Sequence, residues 1–383
     1  MQVPFIETPG ELAELAERLA RAPWLAIDTE SNSLHAWREK VCVLQIASPE
    51  GVALVDTVVL RDLSILRSVF EDERILKYLH GADYDVVCLK RDFGFGPKRI
   101  FDTMLASQML GFESFGLAAM ADSLLGVTID KAYTRHDWGA RPIAAAVQPY
   151  LVNDVLHLPR LAERLMQLVS ERGIQEEVEI ECQRVEALQW SGQARDEREG
   201  WRQMKGVRDL DAVGQGVIRE LFAWREGRAE AMDRPAFKVL GNDALLEIAR
   251  RLPRARRELY GVIGLNERML ERHGSGLLQC VQRGVEAPAD PPPRRPRRTE
   301  EDYRREETGE ALRQWRRGVV QQSGAPSLVV LPNHVLERLA TQRPQSLEEL
   351  ALIPSLGAQR RRLYGPALLE VLRPFGPGVS GLP

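Results

Sequence analysis

Cysteine is scarce in this 383-residue chain: four thiols, Cys42, Cys88, Cys182 and Cys280, lie far apart, with no CxxC pair. That spacing excludes a disulfide scaffold, a CxxC redox centre and the usual cysteine zinc sites, and it fits reduced thiols in a cytoplasm. Long apolar runs are also missing. None approaches the roughly 20 residues that cross a bilayer. The N-terminal MQVPFIETPGELAELAERLA carries acidic residues where an export signal has a basic stretch before an apolar one. The expectation is a soluble cytoplasmic protein without a membrane partner. A surplus of one charge is absent too: the net charge is −3, so any surface for nucleic acid must be local rather than domain-wide. Arginine far outnumbers lysine, a bias that genome base composition accounts for and that carries no functional weight. No GxxxxGK[ST] phosphate loop is present, so no nucleotide cofactor is expected.

What is there is ordinary globular composition, 44% hydrophobic and 28% charged, in a chain longer than one hydrophobic core usually organises. Two or three domains follow. From Trp24 to Val55 the segments WLAID, VCVLQIA and VALVD read as strands. Helical spacing then dominates in LSILRSVF, DYDVVCLKRDF, DTMLASQMLG and PYLVNDVLHLPRLAERLMQLV, while RILKYLH can end in a strand. Strands first and then alternation suggest an α/β sheet domain. Beyond about residue 170 the strand pattern fades, and the charged stretch from Gln175 to Arg208 reads as one long helix or two. The proline and arginine cluster VEAPADPPPRRPRRTEED cannot build a core and reads as an extended linker, whose basic half either touches phosphate or is simply solvated. The expected division is 1–205, 206–284, a linker over 285–302, and 303–383.

The two regions flanking the linker repeat each other. With Pro253 laid on Pro344, an offset of 91, Trp224-Arg225 falls on Trp315-Arg316, Asn242 on Asn333 and Gly274 on Gly365, with no gap. Tandem copies of one helical module are expected. The run RRLPRARREL in the first copy is the best basic patch, or else a solvated loop between helices.

Chemistry concentrates in the N-terminal region. The strand from Trp24 ends in Asp28 and Glu30, which alternation places on one face. Asp85 stands early in a helix after RILKYLH, where it either caps the helix or faces a cleft. Tyr150 and Asp154 lie four apart, hence on one helix face, just after Pro149. Each of these alone has a bland reading as a solvated strand end, a cap or a surface pair.

In this order, IDTES, HGADYDVVCL and YLVNDV, with FDTMLASQMLG and DKAYTRHDW between them, resemble the DEDD exonuclease superfamily. Within it they resemble the tyrosine-bearing branch and the ribonuclease D family. The histidine-bearing branch has its histidine five residues before the last aspartate, where Pro149 stands here. The repeated module is similar to the helicase-and-RNase-D C-terminal (HRDC) domain, a bundle that is either architectural or a nucleic-acid contact. This resemblance implies an α/β ribonuclease H-like exonuclease domain, a mixed sheet of about five strands with flanking helices, followed by two all-α bundles.

It also implies a metal-dependent 3′–5′ exoribonuclease in which Asp28, Glu30, Asp85 and Asp154 hold two divalent cations, Mg²⁺ or Mn²⁺. Asp28 would bridge them, Glu30 and Asp154 would complete the water-activating site, Asp85 would assist the leaving group, and Tyr150 would orient the water. Products would be nucleoside 5′-monophosphates from RNA with a single-stranded 3′ end, tRNA precursors among the substrates. Lys131, Trp138 and Arg141 either provide cationic and stacking groups for that end or serve the fold. His157 reads as a helix-face residue, and His80 as structural or near the substrate. The rival readings are a DNA exonuclease with the same chemistry, a catalytically silent nucleic-acid-binding protein and a helical adaptor. The sequence leaves the oligomeric state open.

Overall fold

The computed structural model describes residues 3–130, 132–190, 199–290 and 298–378. Its centre is a six-stranded mixed sheet in the order β1-β4-β3-β2-β5-β6. The strands are β1 Phe5–Ile6, β2 Trp24–Ser31, β3 Val41–Ser48, β4 Gly51–Asp56, β5 Leu76–Leu79 and β6 Ile100–Asp102. β2 pairs antiparallel with β3 and parallel with β5. The expected count of five is one short. β1 adds the sixth strand by pairing parallel with Leu54 and Val55 of β4, and two residues are too few to show the period-2 alternation that marks a strand.

Helices cover both faces of the sheet, so β3 is buried along nearly its whole length and its sequence is a continuous apolar run. One face sets Leu25, Ile27, Leu44 and Ile46 against the helix Pro9–Leu19. That helix starts at Thr8, which exchanges capping bonds with Glu11. The other face carries Ala26, Tyr78 and Phe101 against the helices Thr103–Leu110 and Leu158–Arg172. By alternation this is the face of Asp28 and Glu30.

Several expected helices take a different form. LSILRSVF becomes a 3₁₀ turn, Ser64–Leu66, and a single turn, Arg67–Phe70. The pattern from Pro149 to Val169 splits into Gln148–Leu156 and Leu158–Arg172, meeting at His157. Pro159 explains the break, because it has no N–H for a continuous ladder but is accommodated in the first turn of a new helix. Of the stretch expected to be helical from Gln175 to Arg208, the described residues form the helix Gln175–Glu186 and two 3₁₀ turns, Gly200–Gln203 and Val207–Asp209, while residues 191–198 lie outside the described residues.

Each repeated region is a helical bundle with its own core. The duplication persists in side-chain detail. Arg225 donates to Leu240 O and to Asn242 Oδ1, and Arg316 makes the same pair of bonds to Leu331 O and Asn333 Oδ1. Trp224 meets His273 edge-on as Trp315 meets Tyr364, and Leu252 and Arg343 are both left-handed at φ 48° and 43°. Of the expected linker over 285–302, residues 291–297 lie outside the described residues. The helix Glu267–Glu286 runs into its start, and Ala289 belongs to the first core with its N–H bonded to Ala212 O.

Candidate active site

Three elements bring the carboxylates together. β2 carries Asp28 and Glu30 on the face that the helix Gln148–Leu156 packs against, and a β-bulge follows Glu30. That helix supplies Tyr150 and Asp154. Asp85 lies in the first turn of the helix Asp83–Phe93. The turn before Asp85 is pinned by Asp102, whose carboxylate accepts from Gly81 N at 2.9 Å and Ala82 N at 2.8 Å while capping the next helix through Met104 N and Leu105 N.

Asp85 and Asp154 are 6% and 8% exposed. The Thr29 hydroxyl, on the strand between Asp28 and Glu30, donates to Asp85 Oδ1. Asp154 Oδ2 is buried without a hydrogen-bond partner. Burial, then the neighbouring Asp85, Asp154 and Glu30, drives the Asp28 carboxyl well above its ordinary range. Burial and the Asp154 and Asp85 charges push Glu30 up to about 8, partly offset by the Trp138 indole and the Tyr150 hydroxyl beside it. Burial likewise raises Asp85 and Asp154 to about 7. The Tyr150 phenol is raised as well, first by burial and then by Asp154, Glu30 and Asp28.

The four expected carboxylates and the tyrosine therefore sense one another electrostatically. Among the described residues no three acidic, histidine or cysteine side chains already stand arranged to hold an ion. The donor set is nonetheless all hard oxygen, with one buried oxygen orphaned, and it fits a Mg²⁺- or Mn²⁺-type cation that completes its shell with water and phosphate.

The expected substrate residues are placed differently. Trp138 is 1% exposed and lies in a core cluster with Cys42, Val43, Leu54, Val147 and Leu151. Arg141 donates to both oxygens of Asp56, at 2.5 and 2.8 Å, to Cys42 O and to Trp138 O. A fully buried indole presents no face to a base, and a guanidinium spent on a buried carboxylate has no fork left for phosphate, so both are fold residues rather than substrate contacts. Lys131 lies outside the described residues. His80 bonds through Nδ1 to Thr103 Oγ1 at 2.9 Å, its Nε2 is buried without a hydrogen-bond partner, and burial lowers its pKa to about 4, so it is neutral at pH 7. Sequence reasoning missed Thr29, Asp56 and Asp102. Only Asp102 left a trace, as an aspartate directly before a helical apolar run.

Residues 3–170 match the 3′–5′ exonuclease family, and residues 214–281 and 306–372 each match the HRDC domain. Ribonuclease D of Gluconacetobacter diazotrophicus is 31% identical over 281 residues, covering 72% of this chain and 70% of that one. Ribonuclease D of Nitrobacter hamburgensis is 29% identical over 96% of this chain and 94% of its own. The crystal structure of Escherichia coli RNase D superposes with a TM-score of 0.69 at 25% identity, covering 98% and 99% of the two chains. The catalytic core of RRP6 from Trypanosoma brucei gives 0.64 at 27% identity over 75% and 80%. With that 31% identity over 70% of the Gluconacetobacter enzyme, and with its exonuclease and HRDC matches, the chain belongs to the ribonuclease D family of 3′–5′ exoribonucleases.

Proposed function

We propose that this exoribonuclease works with two divalent cations, Mg²⁺ or Mn²⁺, held by Asp28, Glu30, Asp85 and Asp154, and that Tyr150 positions the attacking water. The observation that carries this reading is that Asp28 and Glu30 lie close enough to Asp85 and Asp154 to be raised by their charges, around an Asp154 oxygen buried without a partner. Carboxylates that suppress one another's ionisation need a countercharge before all four ionise together. When bound, the cations supply that charge, neutralise the scissile phosphate and bring a water toward hydroxide near neutral pH. Thr29 holds Asp85 in orientation through its hydroxyl. Tyr150, pushed above the usual tyrosine value of about 10, keeps its proton at neutral pH, so its hydroxyl orients water by hydrogen bonding and does not act as a base.

The E. coli protein is described as an exoribonuclease involved in structured RNA processing. We extend that substrate class here: structured RNA with a single-stranded 3′ end, tRNA precursors included, shortened to nucleoside 5′-monophosphates. The test is digestion of matched end-labelled RNA and DNA oligonucleotides with Mg²⁺, Mn²⁺ or EDTA, beside Asp28→Ala. Stepwise, cation-dependent loss of RNA 3′ nucleotides in the wild type alone is expected. Preference for DNA, or equal activity in EDTA, refutes the reading. Tyr150→Phe should lower kcat about a hundredfold while Mn²⁺ affinity holds. Equal loss of both would remove the tyrosine from its role.

A further inference from the structure

Trp138 is buried in the fold, and its surroundings assign it a role there. The indole lies nearly parallel to the Tyr150 ring, with centroids 5.7 Å apart and planes 24° from parallel. Tyr133 meets the same phenol edge-on at 6.0 Å, and His136 meets the indole edge-on at 4.7 Å, so the tyrosine is boxed by one short loop. The indole N–H is buried and lacks a partner at hydrogen-bond geometry. It nevertheless lies near enough to the Glu30 carboxylate to favour that group's ionised form. A buried, unsatisfied donor is costly unless a charged acceptor meets it in some working state. The indole has little freedom to move, because Arg141 grips the Trp138 carbonyl at 2.7 Å while paired to Asp56 at the end of β4.

We propose that Trp138 is a positioning residue for Glu30 and Tyr150 together: its stacked ring sets the phenol's plane and its buried N–H sets the carboxylate's rotamer, with the Arg141–Asp56 pair as the anchor. This rests on the two-cation reading above, in which Glu30 is a ligand and Tyr150 orients water. Ligand orientation by a neighbouring donor commonly changes metal affinity about 10- to 100-fold. Removing the N–H while keeping an aromatic ring should therefore be felt in cation binding before substrate binding.

The experiment is Trp138→Phe in the full chain, read by Mn²⁺ titration calorimetry without RNA and by kinetics on an RNA oligonucleotide. Expected are about tenfold weaker Mn²⁺ binding and about tenfold lower kcat, with KM within about twofold of wild type. The double variant Trp138→Phe/Tyr150→Phe should be less impaired in kcat than the product of the single effects, since both act on one phenol. Unchanged Mn²⁺ affinity and kcat, or a rise in KM alone, would overturn the proposal in favour of simple core filling. If Trp138→Phe does not fold, Arg141→Lys takes its place. It loosens the anchor without touching the ring, and unaltered Mn²⁺ affinity and kcat there would equally refute the role. A wild type that cleaves RNA without any cation would instead sink the two-cation reading itself.

Discussion

A carboxyl group with a pKa of about 8, as at Glu30, is mostly a neutral acid at pH 7, and Asp85 and Asp154 at about 7 are half-protonated there. Their ordinary values are 4.5 for glutamate and 3.8 for aspartate. Between those limits the folded protein holds more protons than the unfolded chain, so without cations its stability falls as pH rises. The loss begins above the unfolded values and is complete once pH exceeds the folded ones. Thermal unfolding in EDTA should show Tm falling from about pH 5 to pH 8, and Mg²⁺ should restore Tm most at the alkaline end. Asp154→Asn should flatten the EDTA profile. A Tm that rises over that range in EDTA would contradict raised carboxylate pKa values.

Elements are held in place by a few contacts that local sequence does not announce. Asp56 at the end of β4 is fully buried, and its charge is balanced by Arg141, 85 residues away. Burial pushes its pKa up, but the Arg141 hydrogen bonds and charge hold it below the usual carboxylate value. Arg141→Ala leaves that carboxylate uncompensated and should cost about 3 kcal/mol, measured by urea unfolding. In the first bundle the helices Ala212–Ala231 and Glu267–Glu286 touch through backbone. A Cβ built on Gly284 would sit 2.3 Å from Val217 Cα and 2.5 Å from Val217 N. Neither atom can move without displacing its helix, so Gly284→Ala should destabilise this bundle by about 3 kcal/mol or more. Faster amide exchange in both helices, with turnover of a short RNA unchanged, is the expected signature.

The two bundles join the catalytic domain in different ways. The Glu176 carboxylate accepts Ala358 N and Gln359 N, each at 2.7 Å, at the start of the helix Ala358–Leu372. Arg360, 1% exposed, donates to Leu328 O and Val329 O within 4.0 Å of Glu181, and Leu328 and Val329 pack into the core beneath the sheet. The first bundle meets the loop after β2, where Trp37 donates to Asp233 at 3.2 Å and to Glu226 at 3.3 Å. Glu176→Ala should therefore loosen the second bundle, exposing Ala358–Leu372 to limited proteolysis at lower urea than in the wild type. Trp37→Ala should leave that cleavage unchanged. Equal cleavage in wild type and Glu176→Ala would show that this carboxylate does not secure the second bundle.

The sequence alone determined the tandem modules, and it named the ligand candidates only through the family resemblance that their motifs carry. Strand alternation in IDTES, the four-residue spacing of Tyr150 and Asp154 and the 91-residue repeat are written along the chain, where backbone periodicity makes them readable. What each polar side chain does was decided by tertiary structure. Trp138 and Arg141 carry the chemistry of substrate contacts, yet their burial depends on Asp56 and on the rings around Tyr150. Asp102 shapes the turn before Asp85 from a separate strand. Glu176 secures a helix 182 residues onward. A polar group's role depends on whether folding leaves it in water or gives it a partner, and those partners came from distant segments that no local pattern specifies.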